Sequence, residues 1–339
     1  MTNQAMLSSE SYSALLEQAL TFMHEGDDFL VVSHVQPDGD AISSTVVVGW
    51  LLTKLGKRFT LINEGEVPSR LQFLTLTDTI INYSKSQLNR KFNRVIAVDC
   101  ADFRRIGEVA SCFSEGYQLL NIDHHPTNDA FGVHNIIHPE AAATVEILFD
   151  LLRHAGITPD EPAATAIYTG LLTDTGGFRY SNTTSHVMEM ASELLKLGVN
   201  GHWIADYLLE RMTMPQLKLL QLGLSRLTFS EDNRIGWLYI EANDLAHTGA
   251  APEDLEGLVN YARNVDGVEV GMLFKELKNG HVKVSLRSAG LVDVAAIAQS
   301  FGGGGHVRAA GCKHDGPLEQ SMLQLVEAVR KTLSGLIQD

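Results

Sequence analysis

The sequence predicts an α/β protein: a mainly parallel sheet in the N-terminal part, followed by a smaller α+β domain. Three observations carry this reading. Short apolar runs with β-branched members alternate with helical stretches from residue 29 to residue 172. Three of those runs end directly in acidic or acid–histidine clusters, the position where open parallel sheets bind ligands. Beyond residue 233 the pattern changes to strands, two of them joined by the hairpin dipeptide Asn279-Gly280. A chain of 339 residues is long enough for two domains, each with its own core.

Taken in order, residues 9–23 carry apolar positions at helical spacing, ending near Gly26. Phe29-Leu30-Val31-Val32 is a buried strand leading into Ser33-His34. Residues 41–55 read as a helix that is apolar all round and closes at Gly56. Strands are expected at 58–63, 95–98 and 119–122, and helices at 145–154 and 163–172. A helical region, 185–227, is broken near Gly198–Gly201 and near Pro215. Strands follow at 235–240, 268–275 and 281–286, with helices at 252–264, 291–300 and 318–336. The expected domains are residues 1–194 and 231–339, with a helical connection at 195–230.

The formal net charge of −15 argues against a protein that grips long duplex nucleic acid, because such binders draw affinity from a basic face. No apolar run is long enough to span a bilayer and no secretory leader is evident, so the cytoplasm is the expected location and no membrane partner is expected. Three cysteines, Cys100, Cys112 and Cys312, at unrelated spacings build neither a disulfide framework nor a zinc knuckle.

The chemistry lies in four clusters: His34-Val35-Gln36-Pro37-Asp38-Gly39-Asp40, Asp99-Cys100-Ala101-Asp102, Asp123-His124-His125, and Asp174-Thr175-Gly176-Gly177. A buried strand does not end in uncompensated carboxylates, since gathering such charges costs several kcal/mol unless a cation neutralises them. Four such endings point to one site for divalent metal. Imidazole with carboxylates suits Mn2+, Mg2+, Fe2+ or Zn2+ better than Ca2+. Asp102 is expected to cap or orient, and an arginine of the Arg104-Arg105 pair stands where a substrate phosphate would lie. The two adjacent histidines diverge, so His124 and His125 do different work, with Asp123 holding a ring nitrogen. In the second domain, Gly302-Gly303-Gly304-Gly305-His306-Val307-Arg308 reads as a loop for close ligand approach, and Arg287 and Ser288 join it as phosphate donors.

In this order the motifs resemble the DHH phosphoesterase superfamily, and the segment from Gly302 to Gly311 is similar to the signature of the DHHA1 domain. The arrangement looks like the group of bifunctional oligoribonucleases and phosphoadenosine-phosphate phosphatases called nanoRNases. The resemblance implies a doubly wound catalytic domain, a DHHA1 substrate domain and a cleft between them. It implies two divalent ions, Mn2+ foremost, with Mg2+ or Co2+ as alternatives. One would take His34, Asp38 and Asp99, the other Asp40, Asp99, His124 and Asp174, with Asp99 bridging. Arg105, Arg287, His306 and Arg308 would face substrate, and Ser288 with Gly303, Gly304 and Gly305 would complete the phosphate site. His125 would lie beside the reacting phosphate and give a proton to the leaving oxygen. The expected substrates are single-stranded oligonucleotides of a few residues, cut to mononucleotides, or the 3′-phosphate of phosphoadenosine phosphate. Linear dinucleotides such as pApA or pGpG are an alternative, and a non-catalytic nucleotide-binding module is another. Family members commonly pair, so a homodimer is implied as well.

Overall fold

The structure, a computed structural model, describes residues 9–255 and 257–336. The chain divides into two units between Arg211 and Met212, inside the stretch that the sequence suggests as a connection.

The first unit runs α1 (Ser9–Glu25), β1 (Phe29–Val32), α2 (Gly39–Lys54), β2 (Phe59–Asn63), β3 (Ile81–Asn82) and β4 (Phe92–Val98). A 3-10 run, Phe103–Cys112, joins β4 to β5 (Phe113–Asp123), and β6 (His134–Ile137) follows. Helices α3 (Thr144–His154), α4 (Glu161–Asp174), α5 (Ser185–Lys196) and α6 (Gly201–Ala205) complete it, with a π-helical turn at Asp206–Glu210. The six strands are all parallel, in the order β3-β2-β1-β4-β5-β6. Strand order reverses at β1 and β4, which puts the switch-point crevice beyond their carboxyl ends.

Both faces of the central strands are buried, so β1 reads as one continuous apolar run. Phe29, Val31, Ile96, Val98, Leu120 and Ile122 pack with residues of α1 to α5. Leu30, Val32, Val95, Ala97 and Leu119 pack instead with Ile106 and Val109 of the 3-10 run. Helix α2 is buried on every side from Asp40 to Leu52, which explains its all-round apolar sequence. At its first turn it presses on α4: a methyl group on Gly39 would come 2.4 Å from Thr173 Oγ1. Gly39→Ala is expected to push apart the two helix ends that carry Asp40 and Asp174, lowering stability by ~1–3 kcal/mol. A denaturation midpoint equal to that of the parent would contradict this packing.

The second unit contains α7 (Met214–Ser225), β7 (Thr228–Phe229), β8 (Ile235–Ile240), α8 (Asp244–Thr248), α9 (Leu258–Arg263), β9 (Val270–Glu276), β10 (His281–Ser288), α10 (Val294–Ser300), β11 (Gly304–His306), β12 (Ala309–Asp315) and α11 (Leu318–Leu336). Its sheet, in the order β11-β12-β10-β9-β8-β7, is antiparallel except for the β8–β9 pair. Val282, Val284 and Leu286 of β10 pack with Val294, Ile297, Leu325 and Val329 from α10 and α11.

Several elements differ from the sequence expectation, each for a local reason. The break near Pro215 lies just before it, at residues 211–213, and Pro215 itself sits in the first turn of α7, where its missing N–H costs nothing. The helix expected at 252–264 is a 3-10 turn and then α9, divided by Gly257 at φ 77. The helix expected from 291 starts only at Val294, because Glu269 Oε1 accepts from the backbone N–H groups of Gly290, Leu291 and Val292. The glycine run is not an open loop. Residues 304–306 form the edge strand β11, paired with β12. Gly305 takes φ 141, and a Cβ on Gly303 would lie 2.2 Å from the Gly311 carbonyl oxygen. The glycines serve close strand packing.

Candidate metal centre

Three strand ends and two helix ends bring the acidic clusters of the first unit together. His34 follows β1 and is 4% exposed. Its Nδ1 donates to the Val35 carbonyl at 2.8 Å, which leaves the Nε2 lone pair pointing inward, 3.5 Å from Asp99 Oδ2 and 3.7 Å from Asp38 Oδ2. The loop is fastened from the other side, where Val35 N donates to the Arg105 carbonyl at 2.7 Å. Asp38 is also the N-cap of α2, accepting from Ala41 N at 3.1 Å.

Asp99 follows β4 in the left-handed region, φ 54, a conformation aspartate tolerates better than most residues. Its two oxygens face different imidazoles: Oδ2 faces His34, and Oδ1 lies 3.6 Å from His124 Nε2 and 3.6 Å from His125 Nδ1. His124 Nδ1 donates to the Ala141 carbonyl at 3.2 Å, and its Nε2 stands 3.4 Å from Asp174 Oδ2 at the end of α4. Asp40, wholly buried, accepts from Thr144 N at 2.6 Å and Val145 N at 3.1 Å. The N-terminus of α3 therefore holds this carboxylate.

These donors fall into three groups whose ligand atoms all lie within 4.8 Å of one another: His34 with Asp38 and Asp99, Asp40 with His124 and Asp174, and Asp99 with His124 and His125. The fit to divalent cations follows from the lone pairs. With each Nδ1 committed to a carbonyl, the Nε2 lone pairs of His34 and His124 point at carboxylate oxygens, which is repulsive unless a proton or a cation stands between them. Two ligand atoms about 2.1 Å from a shared ion stand about 3.0–3.4 Å apart, close to the separations found here.

The electrostatics say the same. Burial, then the neighbouring Asp99 charge, push the Asp40 carboxyl well above the usual carboxylate range. Burial, then the Asp40 charge, do so for Asp174. Burial opposes the imidazolium of His34, but the Asp38 and Asp99 carboxylates more than offset it and raise its pKa to about 10. Without a cation His34 holds a proton at neutrality, and Asp40 and Asp174 are shifted in the direction that retains theirs, so metal uptake competes with protons. Metal binding is expected to release protons, the one on His34 foremost, and to tighten as pH rises. Titration calorimetry in buffers of different ionisation enthalpy reads this directly. Heats independent of buffer would contradict it.

His125 is held differently. Its Nδ1 lies 2.8 Å from Asp123 Oδ1, and Asp123 is itself wholly buried. Asn128 Nδ2 donates to Asp123 Oδ2 at 2.6 Å and to the Cys100 carbonyl at 3.0 Å, and Asn121 Nδ2 donates to Asn128 Oδ1 at 3.0 Å. Burial opposes the imidazolium of His125, and the Asp123 hydrogen bond with the Asp99 charge raises its pKa nonetheless, while the Arg105 charge acts to lower it. Arg105 is thus close enough to act on the site. Asp102 caps its own segment, accepting from Arg104 N at 2.9 Å.

Sequence reading missed Thr144, whose Oγ1 donates to Asp99 Oδ1 at 3.3 Å, along with Asn128 and the Ala141 carbonyl. The polar turn after Asp123 and the small-residue run before α3 were the available signals. Asn128→Ala is expected to slow turnover about tenfold at unchanged metal content, the usual scale for removing a group that orients a site residue. A loss of bound metal instead would place Asn128 in the ligand scaffold.

The second unit is described by itself. Strand register puts Arg287 of β10, Ala309 of β12 and His306 of β11 in one row, so they share the face opposite the α10–α11 core. The floor beside them is small: Ser285, Gly311 and Gly304 form the next row. Arg308 lies against Gly290, its Nη2 3.2 Å from where a Cβ there would stand. Ser288 is placed otherwise than expected. It is 5% exposed and donates to Glu269 Oε1 at 2.9 Å, so it holds the loop after β10 and offers nothing to a phosphate.

Both units match families of known proteins. Residues 28–171 match the DHH family, N-terminal domain, and residues 235–335 match the DHHA1 domain. The bifunctional oligoribonuclease and PAP phosphatase NrnA of Thermus thermophilus is 36% identical over 306 residues, covering 90% of each chain. NrnA of Bacillus subtilis is 27% identical over 288 residues, covering 84% of this chain and 88% of that protein. Among solved structures, an exopolyphosphatase-related protein from Bacteroides fragilis superposes with a TM-score of 0.86 at 26% identity, covering 96% of this chain and 98% of that one.

Proposed function

This chain belongs to the DHH family and carries a DHHA1 domain, and on that basis we propose that it is a two-metal phosphoesterase. Its substrates are oligonucleotides of a few residues, hydrolysed to mononucleotides, and 3′-phosphoadenosine 5′-phosphate, hydrolysed to AMP. The observation that carries the reading is the pair of donor triads, His34–Asp38–Asp99 and Asp40–His124–Asp174, with the two Asp99 oxygens facing different imidazoles. The substrate class comes from relatives named bifunctional oligoribonuclease and PAP phosphatase, which match this chain over most of both lengths.

In this reading the first triad would hold one Mn2+ and the second triad the other, with Asp99 placed to serve both. Bound cations of this kind lower the pKa of water and offset charge on a phosphoryl group. The chain's own groups do the rest. Thr144 and the α3 N-terminus fix Asp99 and Asp40, so the carboxylates need not reorganise when substrate arrives. Asp123 and Asn128 lock the tautomer of His125, keeping the proton on Nδ1 in the neutral ring and Nε2 available to exchange one. The Asp123 and Asp99 carboxylates favour the imidazolium of His125, whose Nε2 proton goes to the leaving oxygen while the Nδ1 proton stays with Asp123. Arg105 offers its charge to a non-bridging phosphate oxygen. In the DHHA1 unit, Arg287, His306 and Arg308 hold a terminal phosphate, over the small residues Ser285, Gly304 and Gly311. A DHHA1 unit with few such cations suits short substrates better than long strands, in keeping with the net charge of −15.

The test is a product time course. Purified protein with Mn2+ is incubated with labelled dinucleotides, a five-residue RNA, phosphoadenosine phosphate and pyrophosphate. Mononucleotide and AMP should accumulate while pyrophosphate persists. Release of orthophosphate from pyrophosphate alone would overturn the substrate assignment.

A further inference from the structure

The loop that follows Asp174 carries two exposed residues that no step above uses, Arg179 and Tyr180. It is tightly built. Thr175 Oγ1 accepts from Phe178 N, and the Thr175 carbonyl accepts from Arg179 N and Tyr180 N, each at 3.0 Å. Gly176, Gly177 and Phe178 are all left-handed, at φ 58, 75 and 60. For Phe178 that is a backbone conformation side chains rarely adopt, and such strain clusters at functional sites. Asn182 Nδ2 donates to the Asp174 carbonyl and to the Ala142 carbonyl, each at 3.2 Å. The loop is thereby tied to both segments that position Asp174, His124 and Asp40.

Tyr180 is clamped against its own loop. A Cβ on Gly176 would lie 2.3 Å from Tyr180 Cζ and 2.5 Å from both Cε1 and Cε2, so the Gly176 backbone rests on one ring face. The residue remains 45% exposed. Trp203, 36% exposed, differs in that two aromatic rings pack on it, Tyr207 stacked at 5.0 Å and 6° and Phe73 edge-on at 5.0 Å and 84°. Arg179 Nε donates to the Gly176 carbonyl at 2.6 Å, which ties its guanidinium to the same glycine that the ring rests on.

We infer that Tyr180, flanked by Arg179, is a base-stacking platform for the nucleotide whose phosphate is cut at the metal centre. The inference rests on the nucleotide-hydrolysis reading and names which residue takes the base. A flat ring already immobilised on one face loses little freedom when a base covers the other, and every base has a π-face to offer. Gly176 lies two residues from Asp174, which keeps the platform next to the hydrolytic groups.

Binding of a fluorescent dinucleotide and of the same compound with one base replaced by hydrogen tests this, measured on the full chain with Ca2+ in place of Mn2+. Tyr180→Leu should weaken dinucleotide binding about tenfold or more, the size of one base–aromatic stack, and leave the abasic compound within about twofold. Tyr180→Phe should match the parent. Tyr180→Trp adds a fluorophore whose emission the dinucleotide should quench and the abasic compound should not. Equal losses for both compounds, or quenching by both, would overturn the platform. If the Leu and Trp variants behave as expected but no phosphoester is cleaved under Mn2+, the platform stands and the phosphoesterase reading falls.

Discussion

Asp99→Ala is expected to abolish turnover and reduce bound metal from two ions per chain to one or fewer. The residue is 2% exposed and faces His34 with one oxygen and His124 with the other, so its removal uncouples both triads. Water activation by cations contributes several kcal/mol, and about 1.4 kcal/mol is tenfold in rate, so a loss of at least ~1,000-fold should follow. Folding should survive, because the deletion also relieves the repulsion that raises Asp40. Metal analysis beside a rate assay settles it. Full metal occupancy with near-parent turnover would remove Asp99 from the centre.

His125→Ala should separate metal binding from proton transfer. His125 is held by Asp123 through Nδ1, and both proposed ion sites have their three donors without it. The expected result is a fall in kcat of ~100- to 10,000-fold, the range for loss of a general acid, with metal content unchanged. A leaving group of low pKa needs less protonation, so the variant should recover much of its rate on a nitrophenyl ester. Equal losses on good and poor leaving groups would assign His125 to orientation or metal binding.

Much of this was legible in the chain because the sheet announces itself twice, through apolar runs and through the acids that end them. β1, β4 and β5 carry both signals, and the three clusters at their ends do converge. The two short strands β3 and β6 carried neither strongly, and were missed. Groups that orient the ligands were also missed, because a threonine at a helix start or an asparagine in a turn reads the same whether it faces solvent or a carboxylate. Thr144 and Asn128 are such cases. Ser288 was misjudged although a signal existed: Val282, Val284, Leu286 and Ser288 share one strand parity, which places the serine on the buried face. Four adjacent glycines suggested a ligand loop, but the same residues also permit an edge strand to lie close against Gly311 and Ala310.

The most direct test of the central claim is an anomalous-scattering map from a crystal grown with manganese. Two peaks should appear, one against His34 and Asp38 and the other against Asp40, His124 and Asp174, with an Asp99 oxygen at each. A single peak that Asp99 does not touch, or none at all with those side chains turned apart, would contradict it.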